Sequence, residues 1–181
     1  EVKQLLPWGE GTLLSHATDV ALASEASSVV AVVGCQARRA EEALGGRCVN
    51  VVENRDWIAG QSTSLHAGLC AVDLGTTAAV FLLVDQPGVG PAVIDALIHK
   101  YRITGAPVVA PRVGGRRANP VLFDCTTWDE LRKIRGDIGG RVLFEMYADR
   151  IAWVDWSEEI MAEVNTPQDY SALQMDREGS A

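Results

Sequence analysis

Hydrophobic and polar positions alternate in blocks along this chain rather than residue by residue. Short runs rich in Val, Ile, Leu and Ala recur at 28–34 (SVVAVVG), 48–54 (CVNVVEN), 78–86 (AAVFLLVDQ), 106–112 (APVVAPR), 119–124 (NPVLFD) and 150–156 (RIAWVDW). Each predicts a strand, and their near-continuous apolar character predicts strands covered on both faces. Between them, segments of helical period occupy 12–26, 37–46, 64–72, 91–105, 126–136 and 166–175. Several carry end signals: Thr12 at an N-cap, Pro91 at a first helical position and Gly105 after a last turn. This alternation predicts an α/β fold with a mostly parallel central sheet and helices on both faces. No internal repeat, low-complexity tract or linker interrupts it. With 181 residues and 48% hydrophobic content, the chain is expected to form a single domain over residues 1–181.

Charge narrows the picture. A formal net charge of −8 argues against a nucleic-acid partner, which usually demands a basic face, so any anionic ligand must be held by a local cluster. No apolar run approaches the roughly 20 residues needed to span a bilayer, and the beginning of the chain lacks a basic-then-apolar signal pattern. The expectation is a cytoplasmic protein with no membrane contact. Cys35, Cys48, Cys70 and Cys125 are widely separated, form no C-x-x-C pair and read as reduced, mostly buried thiols. His16, His66 and His99 show no mutual spacing for a metal or a triad, and the chain has no G-x-S-x-G, H-E-x-x-H or G-x-x-x-x-G-K-[ST].

Six stretches carry candidate chemistry. Asp85 follows the apolar run VFLLV, at the end of a strand where α/β proteins collect ligands; it suits a metal ligand, a helix cap or a turn brace. In GQSTSLHAGL, Gly60 permits close backbone approach and Ser62, Thr63 and Ser64 offer hydroxyls at a helix start, for a nucleotide or as an ordinary cap. Lys3, in KQLLPWG, suits a triphosphate or open solvent. Arg116 and Arg117, in GGRRANPVLF, present forked donors to an anion or to water. GDIGGR places Asp137 and Arg141 in a glycine-rich loop that either wraps a substrate or links two helices. Asn165, just before Thr166-Pro167, is a hard-metal ligand or a neighbour of a helix cap.

Taken together and in order, KQLLPWG, GQSTSL, LLVDQP, TGAPVVAPR, GRRANPVLF, GDIGGR and NTPQDY resemble the nucleotidyltransferases of molybdenum-cofactor maturation, the cytidylyltransferases above all. The resemblance runs from Lys3 to Tyr170. It implies a Rossmann-like, glycosyltransferase-A-type fold that joins CTP, or another NTP, to a molybdopterin-type cofactor with release of pyrophosphate. It further implies Mg2+, with Mn2+ as an alternative, held by Asp85 and Asn165. Lys3 would meet the triphosphate, and Gly60, Gln61, Ser62, Thr63 and Ser64 would cradle the nucleotide together with Asp85. Arg116, Arg117, Asn119, Asp137 and Arg141 would face the pterin, and a molybdenum hydroxylase would receive the product. The family's first strand and glycine-rich loop, of the form L-A-A-G-x-S-x-R-M-G, are absent from this numbering and are expected to precede residue 1. Two alternatives remain at this stage: transfer of guanylate or another nucleotide to a different small phosphorylated acceptor, and a non-catalytic chaperone that delivers cofactor. Redox chemistry has no support in the motifs, since no dinucleotide G-x-G-x-x-G is present.

Overall fold

A computed structural model describes residues 2–179. The chain begins with a 3-10 turn, Lys3–Leu5, and a small antiparallel pair, β1 (Pro7–Trp8) and β2 (Gly11–Thr12). There follow α1 (Leu13–Leu22), β3 (Val30–Val33), α2 (Ala37–Leu44), β4 (Asn50–Glu53), α3 (Gln61–Ala71) and β5 (Ala78–Phe81). The second half comprises α4 (Pro91–Thr104), β6 (Val108–Val113), β7 (Arg116–Arg117), β8 (Val121–Asp124), α5 (Trp128–Lys133), α6 (Val142–Met146), β9 (Ile151–Asp155) and α7 (Pro167–Glu178). Every strand and helix block read from the sequence has a counterpart, while the tiny strands and α6 were too short for a period to reveal.

The α/β class and the layering hold. Alternate residues of β6 point to opposite faces, as the pleat requires. Val108 and Ala110, fully buried, pack with Leu65 and Leu69 of α3 and Leu131 of α5. Val109, also fully buried, meets Leu97 of α4 and Leu122 on the other side. Helices therefore cover both faces of the central strand.

Strand direction needs a finer description. β3 and β4 pair in parallel through α2, and β6 pairs in parallel with β9. β8, however, lies between β5 and β6 and is antiparallel to both, so β5, β6 and β9 share one direction with β8 reversed among them. The physical cause is the Gly114-Gly115 loop. Both residues have positive φ (54° and 81°), the conformation of a tight hairpin turn, so the chain doubles back through β7 instead of crossing over. Among the described residues β3 pairs only with β4, and β5 only with β8. All four residues of β5 are consequently only partly buried, short of the two-sided cover expected for them.

The predicted strand 78–86 also leaves its ladder early, at Phe81 opposite Val121. The next residue on the partner strand is Pro120, which has no N–H to donate. Leu82–Val84 thus run on, unpaired by that strand, toward Asp85. The thiols depart from expectation too: Cys48, Cys70 and Cys125 are exposed and Cys35 is half-buried, all four free. They fall at element edges, where a small side chain is not forced inward. No helix among the described residues is long and apolar enough to cross a membrane.

Candidate active site

Three apolar neighbours bring three distant polar groups together. Leu5, buried beside Lys3, packs in a cluster with Leu14, Ala31 and Val33, against which Val84 also lies. Val84 simultaneously touches a second cluster of Trp8, Leu13 and Val164. Lys3, Asp85 and Asn165 are therefore carried into register by Leu5, Val84 and Val164, and the Val164 N–H donates to the Asp85 carbonyl at 2.8 Å. The result is one centre: Lys3 Nζ donates to Asp85 Oδ2 and to Asn165 Oδ1, each at 3.0 Å. Asp85 and Asn165 follow β5 and β9, two strands of the same direction, so the centre sits beyond their carboxyl ends, the ligand position of open α/β sheets.

The surrounding turns fix these groups. Gly88, in the turn after Asp85, abuts the Glu159 carbonyl so closely that any Cβ would collide with that backbone. This contact docks the turn against the segment leading to Asn165. Downstream, α7 begins with Thr166 as N-cap in a reciprocal capping box with Asp169. The Asp169 carboxylate also accepts from the Asn165 N–H at 3.1 Å. Hydrogen bonds from Thr166 hold the Asp169 carboxyl below its ordinary range. The cap role is thus filled by Thr166, leaving the Asn165 side chain to face Lys3.

The Gly60–Ser64 stretch is less open than the sequence implies. Helix α3 begins at Gln61, not at Ser64, so Gln61, Ser62, Thr63 and Ser64 form its first turn. The Ser62 N–H donates to the Gly136 carbonyl at 3.1 Å, and the Ser62 side chain is buried. Thr63 and Ser64 accept from the Asn54 amide at 2.8 and 2.9 Å. Asn54, itself buried, is a residue that sequence reasoning missed; a polar side chain with no charge gives no local sign that it will organise a helix start. Gly60 has φ of 108°, and a Cβ there would lie 2.5 Å from Gly136 C. The same position is 2.7 Å from the Asp137 N. The 60–64 and 136–141 motifs, far apart in sequence, are consequently one surface.

Beside it, Arg117, Ile138, Arg141, Val142, Phe144 and Glu145 line a cavity of about 440 Å3. The Arg117 guanidinium stacks over the Phe144 ring at 4.3 Å from its centroid, so its fork is pre-oriented by an aromatic face. Arg116 and Arg117 are successive residues of a strand, and only Arg117 lines the cavity; the expected two-arginine clamp is split by the pleat. Asn119 is half-buried in the approach to β8 and does not line the cavity either. Lys3, Asp85 and Asn165 do not line it either.

The family model for the MobA-like NTP transferase domain matches residues 1–151. The chain belongs to this family and is a nucleotidyltransferase, with a nucleoside triphosphate among its substrates. Among its relatives, Nicotine blue oxidoreductase from Paenarthrobacter nicotinovorans is 29% identical over 168 residues, spanning 89% of this chain and 81% of that protein. The crystal structure of Rv0371c from Mycobacterium tuberculosis H37Rv in complex with manganese is 25% identical, with a TM-score of 0.80, covering 94% of this chain and 90% of that one. A nucleotidyl transferase from Methanothermobacter thermautotroptrophicus shares the fold at 24% identity and a TM-score of 0.82, covering 99% and 86% of the two chains.

Proposed function

We propose that the protein transfers CMP from CTP to molybdenum-loaded molybdopterin, giving the cytosine dinucleotide form of the cofactor and pyrophosphate. The observation that carries this reading is the meeting of Lys3 Nζ with Asp85 Oδ2 and Asn165 Oδ1, at 3.0 Å each. Two hard oxygens there already hold a cation, the ammonium. Their partial exposure leaves room for waters and phosphate oxygens to complete the shell of a small divalent ion, so the donor set fits Mg2+ or Mn2+. When bound, such an ion neutralises charge on the triphosphate as the transfer proceeds. The manganese complex of the Mycobacterium tuberculosis relative supports a divalent metal.

The chain's own groups divide the remaining work. Lys3, released from Asp85, turns its ammonium to the triphosphate and stabilises the leaving pyrophosphate as a point charge. The backbone at Gly60 and Gln61, with Ser62, Thr63 and Ser64 behind it, supports the nucleotide. Arg117 and Arg141 hold the anionic acceptor in the cavity, with Asp137, Arg116 and Asn119 at its approaches. An oxygen of the acceptor's terminal phosphate forms a new bond to the α-phosphorus of CTP while the α–β bridging P–O bond breaks, and the electron pair leaves with pyrophosphate. Alignment and charge neutralisation suffice, so no side-chain nucleophile is needed. A molybdenum hydroxylase is the expected recipient of the product.

The name of the Paenarthrobacter relative gives one specific reason for a second reading, reduction or oxidation of an aromatic dye-like substrate. The test runs both: pyrophosphate release with molybdenum-loaded molybdopterin, a divalent metal and either CTP or GTP, beside oxidation of a reduced nicotinamide cofactor with a quinonoid acceptor. Pyrophosphate with CTP but not GTP supports the proposal; release with GTP alone moves it to the guanylate branch. Nicotinamide oxidation without pyrophosphate overturns it.

A further inference from the structure

The centre contains an acid that the motifs did not single out. Glu163 precedes Asn165 by two residues, and Val164 between them is buried in the core. In an extended segment this alternation puts Glu163 and Asn165 on one side. One Glu163 oxygen, Oε2, accepts from Asn165 Nδ2 at 3.0 Å, and the other, Oε1, accepts from Gln86 Nε2 at 2.7 Å. Gln86 is 5% exposed and its Oε1 is buried without a partner, so its amide has a single anchor, Glu163.

We infer that Glu163 is a positioning residue that sets the amide orientation of Asn165 for metal binding. An Asn side chain presents either an oxygen or an NH2 group to a neighbour, and the two faces are interchanged by a half-turn about the last bond. With Nδ2 committed to the Glu163 carboxylate, Oδ1 faces the cation at Lys3. Without that acceptor the amide is free to turn its NH2 toward the cation, which repels it. Gln86 holds the carboxylate itself in place, in a relay Gln86–Glu163–Asn165. Groups that orient a ligand in this way typically change metal affinity by about 10- to 100-fold when removed.

The inference rests on the metal role proposed above for Asp85 and Asn165. The test is Mn2+ titration of the protein followed by electron paramagnetic resonance of the free ion, with CTP present and no acceptor. Wild type, Glu163→Ala, Glu163→Gln, Asn165→Ala and the Glu163→Ala/Asn165→Ala double variant are compared, each checked for an unchanged fold by circular dichroism. Glu163→Gln keeps an acceptor for Gln86, and so covers the case in which Glu163→Ala fails to fold. The expected result is Mn2+ binding weakened about 10-fold or more by either single change at 163, and no further weakening by Glu163→Ala once Asn165 is Ala. Binding in both Glu163 variants equal to wild type overturns the positioning role alone. An equal loss on Glu163→Ala in the Asn165→Ala background also overturns it, assigning Glu163 a direct or purely electrostatic effect. A wild-type protein that binds no Mn2+ overturns the metal reading and this inference with it.

Discussion

Replacing Asp85 by Ala should separate function from folding. On the stability side, the change removes one ion pair at 3.0 Å whose side chains are 39% and 26% exposed. Pairs near the surface contribute about 0–1 kcal/mol. Lys3 keeps its bond to Asn165, and the Asp85 carbonyl that accepts from Val164 belongs to the backbone and survives the substitution. The folded state should therefore lose at most about 1 kcal/mol, or about 2–4 °C in Tm for a chain of this size. On the catalytic side, the metal role proposed for Asp85 predicts the loss of a divalent-ion anchor in a reaction that depends on charge neutralisation. Removing one such stabilising group costs about 3 kcal/mol or more, which is about 10²-fold in rate. The assay is pyrophosphate release at saturating CTP and metal, paired with a thermal melt; Asp85→Asn is the isosteric partner variant. Turnover within threefold of wild type refutes the metal assignment. A melt lowered by about 10 °C with a proportionate activity loss refutes the claim that the carboxylate is held for chemistry rather than for the fold.

Lys3→Met should raise the KM for CTP, by about 10-fold or more, yet strengthen Mn2+ binding in the absence of nucleotide, because no ammonium then sits between Asp85 and Asn165; weaker Mn2+ binding would contradict the competition. Arg117→Ala should weaken acceptor binding while Arg116→Ala leaves it near wild type, measured as KM for molybdopterin; equal losses would restore the two-arginine clamp that the strand pleat divides. Gly60→Ala forces a left-handed φ on a residue with a Cβ and pushes it into Gly136, so a loss of about 1–3 kcal/mol in denaturant unfolding is expected, and an unchanged midpoint would contradict the tight contact. Acid should destabilise the protein through Asp19, whose carboxyl is held below its ordinary range by hydrogen bonds from Arg47. The unfolded chain takes up that proton first, so this stability is full above the ordinary carboxylate pKa of about 4 and is lost as pH falls through the lower folded value. Asp19→Asn should flatten the fall of Tm as pH drops below the ordinary carboxylate pKa of about 4, and an identical acid limb would refute the assignment.

The alternation of apolar runs and helical periods was enough to place the main strands and helices, because burial imposes those periods locally. Direction was not legible in the same way. An apolar run reads alike in either sense, and only the two-residue loop Gly114-Gly115, too short for any crossover, signals that β8 returns antiparallel. Motif order brought Lys3, Asp85 and Asn165 under suspicion, yet their meeting is made by Leu5, Val84 and Val164, residues that look like any other core positions. Glu163 escaped notice because an exposed acid in an acidic chain resembles a solvated one; its role appears only when Gln86, 77 residues away, is seen to depend on it. The hydroxyls of Thr63 and Ser64 looked available for a ligand because the buried Asn54 that donates to both lies outside the motif, at the end of an apolar run.

The most direct test follows the α-phosphorus. CTP labelled at that atom is incubated with the protein, Mg2+ and molybdenum-loaded molybdopterin, and the label is traced by chromatography. The expected result is label joined covalently to the pterin, in step with unlabelled pyrophosphate, with both products formed about 10²-fold more slowly by Asp85→Ala. Label that stays in CTP, or is released as free CMP whether or not the pterin is present, would contradict it.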